Sequence, residues 1–204
     1  MLKNLLYAIL LGVGMAACLA DTDDTGTATT TSNVPPETSQ AEDTAATPDP
    51  AHFVVTKGRV GTIRIGMPIA EMRQQVPVHQ QIKDTTLHLE GQAYTAYVYS
   101  SPTSPSGLLV EQQCEPDCQV WRIRLRDDDY KTPEGIGVGS KYGEVRQRYP
   151  IKYASLGEAG FVAVSEEAGM SFILDTSQLD KSQLHALKPD DIPANTLVRG
   201  ILLY

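Results

Sequence analysis

The stretch VGTIRIGMPIAEMRQQVP at 60–77 returns without a gap as PEGIGVGSKYGEVRQRYP at 133–150. Six of eighteen positions are identical: Ile63/Ile136, Gly66/Gly139, Glu71/Glu144, Arg73/Arg146, Gln74/Gln147 and Pro77/Pro150. No other feature constrains the fold as much, because both copies are expected to form the same local unit and to divide the domain into two related halves. Each copy reads as a short strand, a glycine turn and a helix. Gly66 and Gly139 stand where the backbone conformation, or a close approach, excludes a Cβ. Pro68 suits a first helical turn, and Ser140 can cap the second helix. Ile69, Met72 and Val76, then Tyr142, Val145 and Tyr149, are spaced i, i+3, i+7 and give each helix one apolar face. Glu71 and Glu144 fall in the first turn, where they complement the helix dipole, and Pro77 and Pro150 end both helices.

Each helix is followed by β-rich segments between turn residues: 85–90, 92–100, 107–113 and 119–126, then 152–156, 160–166, 170–175 and 196–204. Period-two alternation is clearest in VWRIRLR, which predicts Trp121, Ile123 and Leu125 on one face and Arg122, Arg124 and Arg126 on the other. A further short helix is expected over 177–187. The fold class that follows is α+β: two helix-plus-antiparallel-meander repeats, at about 52–128 and 129–204, with the helices packed on one face of the sheet. One domain of this length buries enough surface to fold alone.

Ahead of that domain the chain changes character. Lys3, an apolar run over 5–13 and the small residues Ala16 and Ala17 lead into Cys18, the layout of a secretory signal too short to span a membrane. Residues 19–51 hold seven acidic groups (Asp21, Asp23, Asp24, Glu37, Glu42, Asp43 and Asp49), no Lys or Arg, and many Thr. Such a stretch buries too little apolar surface to offset its ordering entropy and reads as a disordered tether. It carries nearly all of the net charge of −8. The folded part is therefore close to neutral, and the acidic balance says nothing about its partners.

Two resemblances sharpen these expectations. Met15-Ala16-Ala17-Cys18 resembles the lipobox of bacterial lipoproteins, which implies a signal peptide at 1–17, acylation at Cys18 and a membrane anchor, at about 0.8 kcal/mol per buried methylene. The pattern I-x-I-G-M-x-x-x-E-M, returning as I-G-V-G-S-x-x-x-E-V, resembles small envelope lipoproteins and secreted proteins of the β-lactamase-inhibitor-protein fold. That group includes the small lipoprotein of the outer-membrane β-barrel assembly machinery. The likeness covers the repeat cores and implies a module that binds protein or lipid without catalysis; Pro68 stands where the group has Thr.

Cys114 and Cys118 flank a three-residue turn between two predicted strands, so in an oxidising envelope they are expected to form a disulfide that pins a hairpin. The C-x3-C spacing is not that of a redox pair, and no further Cys or His segment completes a zinc site. No nucleophile elbow, H-E-x-x-H or phosphate-binding glycine loop is present. The expected function is a lipid-anchored envelope protein, at the outer rather than the inner membrane, that binds another envelope protein or an anionic lipid. No metal, cofactor or nucleic acid is expected, and the alternative is an envelope hydrolase with an unrecognised carboxylate or His pair. Arg122, Arg124 and Arg126 are the candidate binding face, able to grip carboxylates or phosphates, or else to pair with Asp127 to Asp129. Replacing Cys18 by Ser is expected to abolish incorporation of a fatty-acid analogue in cells; equal labelling of both forms would refute the anchor.

Overall fold

Alternation of apolar and polar residues, punctuated by Gly, Pro and Asp, makes strands the commonest element of the chain that the computed structural model describes, residues 49–204 apart from Glu90. The signal segment, Cys18 and the tether up to residue 48 lie outside the described residues. The elements are β1 (Val55–Thr56), β2 (Arg59–Val60), β3 (Ile63–Arg64), α1 (Ile69–Gln74), β4 (Gln81–Leu89), β5 (Gln92–Ser100), β6 (Leu108–Cys114) and β7 (Cys118–Leu125), followed by α2 (Tyr142–Arg148), β8 (Tyr153–Gly157), β9 (Gly160–Ser165), β10 (Met170–Leu174) and β11 (Val198–Leu203). They form a small sheet, β1-β2-β3, and a large one in the order β4-β5-β6-β7-β11-β10-β9-β8. Every neighbouring pair is antiparallel.

This corrects the expected α+β class of two helix-plus-meander repeats. Among the described residues strands account for 43% and helix, two 3-10 turns included, for 13%, in two antiparallel sheets with two α-helices. The first copy of the sequence repeat begins with strand β3, whereas Ile136 to Val138 in the second form no strand. Both helices are short: α1 has six residues and α2 seven, under two turns each. The chain leaves the helix before Val76 and Tyr149, so those residues reach the core from the segments beyond. Ser140 does not cap α2; its hydroxyl accepts a hydrogen bond from the Gly137 N–H (3.0 Å), while Glu144 accepts one from the Lys141 N–H (2.7 Å). Residues 177–187 are turns, not a helix. There Asp180 accepts from the Ser182 N–H (2.9 Å), a local bond that competes with helix formation.

Both helices pack on the same core. Met72 of α1 and Tyr142 and Val145 of α2 are fully buried with Tyr99, Ile123, Leu125, Phe172, Ile201 and Leu203 of the large sheet. The Tyr99 hydroxyl donates to the Met72 carbonyl at the end of α1 (3.1 Å), and burial pushes that phenol up to about 12. Each helix is aimed by a glycine turn in the left-handed region, Gly66 at φ 78° and Gly139 at φ 86°. A Cβ at Gly139 would meet nothing within 4 Å, so its requirement is backbone conformation alone. Gly139→Ala is expected to cost about 1–2 kcal/mol in urea unfolding. Gly157→Ala, with ordinary φ and open space, is the control and should cost nothing. Equal stability of both variants would remove this account of Gly139.

Candidate functional site

Strand β7 carries the feature on which the site depends. Its ladder with β6 shifts register: Gln112 opposes Val120, but Glu111 opposes Arg122, which leaves Trp121 as an extra residue. A bulge of this kind interrupts alternation and re-aims a side chain. Val120, Ile123 and Leu125 are buried against the helices, whereas Trp121 is 45% exposed. The expectation that Trp121 faces the helices is therefore corrected.

Arg122 points to the helix-free face and is largely buried. Its Nε donates to Glu111 Oε2 (3.0 Å), its Nη2 to the same oxygen, and its Nη1 to Glu158 Oε2 (3.2 Å). Burial opposes the charge on Arg122, but the bonds to Glu111 and Glu158 outweigh it and raise its pKa. The same guanidinium lies 4.6 Å from the centre of the Trp121 ring. Glu158 belongs to the β8–β9 turn, three strands from β7 in the sheet order, so the sheet coils far enough to bring that turn over β7.

The coiling leaves an open cleft of about 520 Å³ beside Trp121, lined by Gln92, Tyr94, Glu111, Gln113, Glu115 and Glu158. Tyr94 is 41% exposed, and its hydroxyl donates to Gln92 Oε1 (3.0 Å). Next to the cleft the disulfide joins Cys114 to Cys118 across the β6–β7 turn. The cleft joins residues from β5, β6, β7 and the β8–β9 turn, which sequence reasoning missed apart from those of β7. One signal was available: Val120 and Ile123 are both large and aliphatic yet three apart, a spacing that an unbroken strand cannot place on one face.

The three arginines meet three environments. Arg122 is ion-paired as described. Arg124 lies in the ladder between Leu109 and Leu202, makes no ion pair among the described residues, and has a buried Nε without a hydrogen-bond partner. Burial lowers its pKa, and the neighbouring charges of Arg122 and Arg126 add to the effect against Glu111 and Glu158. Arg126 is exposed, and none of the three pairs with Asp127 to Asp129 among the described residues. No described helix is long and apolar enough to cross a membrane.

No protein-family model and no curated protein matches the chain. Among solved structures it is similar to the uncharacterized protein YfeY from Escherichia coli, with a TM-score of 0.51 and 14% sequence identity over 70% of this chain and 93% of that one. At that identity the likeness concerns the fold alone.

The uneven environments predict uneven stability effects. Arg122→Gln leaves the Glu111 carboxylate buried without a counter-charge and is expected to destabilise by about 3 kcal/mol. Arg126→Gln, on the exposed residue, should stay within about 0.5 kcal/mol. Adding Glu111→Gln to Arg122→Gln should recover part of the loss; chemical denaturation of the wild type, the two single variants Arg122→Gln and Glu111→Gln, and the double variant measures the coupling. Equal effects of the two arginine variants would contradict the pairing.

Proposed function

We propose that this chain is a lipid-anchored protein of the bacterial cell envelope, held at the membrane through Cys18, that works without catalysis by binding another envelope component. The working surface is the cleft on the helix-free face of the large sheet. The observation that carries this reading is the bulge at Trp121, which turns a large aromatic side chain out of the core to the edge of a cleft. An indole left 45% exposed forfeits part of a burial worth about 1.5–3 kcal/mol for fully buried large apolar side chains. Exposed Trp and Tyr beside a charge-paired Arg is also the composition that dominates binding energy at interfaces. The hydrolase alternative gains little from the three carboxylates of the cleft, because Glu111 and Glu158 are both engaged by Arg122 and Glu115 stands alone on the exposed β6–β7 turn.

A photoreactive benzophenone residue at Gln92 of the full-length protein, activated in intact cells, is expected to attach envelope material, while the same residue at exposed Lys181, outside the cleft, is not. Trp121→Ala should lower the Gln92 yield about tenfold or more without changing the melting temperature by more than a few degrees. Equal yields from Gln92 and Lys181, or no dependence on Trp121, would defeat the proposal.

A further inference from the structure

The chemistry of the cleft narrows what it can bind. The nearest cation, Arg122, is consumed by Glu111 and Glu158, and with Glu115, which also lines the cleft, these groups leave two negative charges in excess. A phosphate or carboxylate entering beside Trp121 would face three carboxylates, Glu111, Glu115 and Glu158, with no uncommitted positive group lining the cleft. A cationic ligand fares little better. One face of the Trp121 ring already holds the Arg122 guanidinium at 4.6 Å, so the ring quadrupole is engaged by a positive charge that repels a second one on the outer face. The remaining attraction, to the half-exposed Glu158 and to Glu115 on the exposed β6–β7 turn, is that of surface pairs, and such pairs contribute little and are screened by salt.

A neutral ligand remains, and the polar lining decides between kinds. Gln92 and Gln113 bring amides, Tyr94 a hydroxyl, and Glu115 and Glu158 carboxylate oxygens. A purely apolar segment laid on Trp121 would strip water from the two amides and from the carboxylate oxygens that Arg122 does not hold, losing more than the stacking returns. A pyranose ring has the required duality. Its C–H face stacks on an indole, and its ring of hydroxyls both donates to carboxylates and exchanges bonds with amides.

We infer that the cleft is a binding site for a neutral glycan, a chain of uncharged hexose or N-acetylhexosamine units, with one sugar ring on the open face of Trp121 and Tyr94 flanking the next. The inference rests on the cleft being the working surface. It adds the chemical class of the ligand.

Trp121 is the single tryptophan of the sequence, so intrinsic fluorescence of the unmodified full-length protein reports on this site directly. The protein in neutral detergent is titrated with tetra-N-acetylchitotetraose and with cellotetraose. A saturable blue shift with at least one of them is expected, and its midpoint should not move with salt. Tyr94→Ala should weaken the midpoint about fivefold or more, the size of a lost aromatic contact, while Tyr94→Phe retains it. No saturable change with either sugar, or an identical midpoint for Tyr94→Ala, overturns the inference. So does a change produced only by anionic phosphatidylglycerol vesicles and abolished by salt, or only by a lysine-rich peptide. If the sugars fail while Trp121-dependent attachment from Gln92 persists, the ligand class is wrong and the binding surface stands. If that attachment fails too, the surface itself is wrong.

Discussion

Two reciprocal pairs of backbone hydrogen bonds hold the glycine turns to the large sheet, and the remaining architecture follows from them. The Gly66 N–H donates to the Val120 carbonyl and the Val120 N–H to the Met67 carbonyl, both at 2.8 Å. In the second half the Gly139 N–H donates to the Val198 carbonyl and the Val198 N–H to the Ser140 carbonyl, both at 2.9 Å. Each turn thus acts as a short extra strand beside β7 or β11, and each following helix starts at a fixed place over the core. Helices of under two turns would not persist alone, since nucleation is unfavourable and few intrahelical bonds are gained. Their stability comes from this docking and from the side chains buried beneath them.

The same bonds explain why β7 is irregular where it is. At Gln119 and Val120 its edge is occupied by the Gly66–Pro68 turn, and only from Ile123 to Leu125 does it pair with β11. Both demands require Val120 and Ile123 to face inward, although an odd number of steps separates them. The extra residue reconciles them, and that residue is Trp121. What looks like a surface decoration is thus the consequence of fitting one strand to two different neighbours.

Much of this was legible in the sequence where the physics is local. The strands of the large sheet fall close to the segments marked by alternation and turn residues, since a half-buried strand must alternate and a reversal needs Gly, Pro, Asn or Asp. Helix length was not legible, because Val76 and Tyr149 satisfy helical spacing yet reach the core after the chain has left the helix. Trp121 was misplaced because alternation presumes an unbroken ladder. The Glu111–Arg122–Glu158 cluster was out of reach altogether: its members lie on β6, β7 and the β8–β9 turn, and only the register and coiling of the sheet bring them together. Asp127 to Asp129, near in sequence, were the wrong partners for the arginines.

Exposure alone would make Trp121 unremarkable, since isolated apolar residues are common on protein surfaces. Its surroundings make the difference. The bulge fixes its backbone within a ladder that continues on both sides, and the Cys114–Cys118 disulfide closes the adjoining turn. Arg122 covers one ring face while two carboxylates restrain the guanidinium, so the indole is held from behind rather than swinging freely. A ligand that stacks on the open face therefore has little side-chain freedom to remove, and ordering cost is a main reason why contact area fails to become affinity. A buried ion pair is weak support for stability, because desolvation offsets most of the attraction between its members. Fixing one exposed ring in place is a role that a pair of apolar residues at 111 and 122 could not fill.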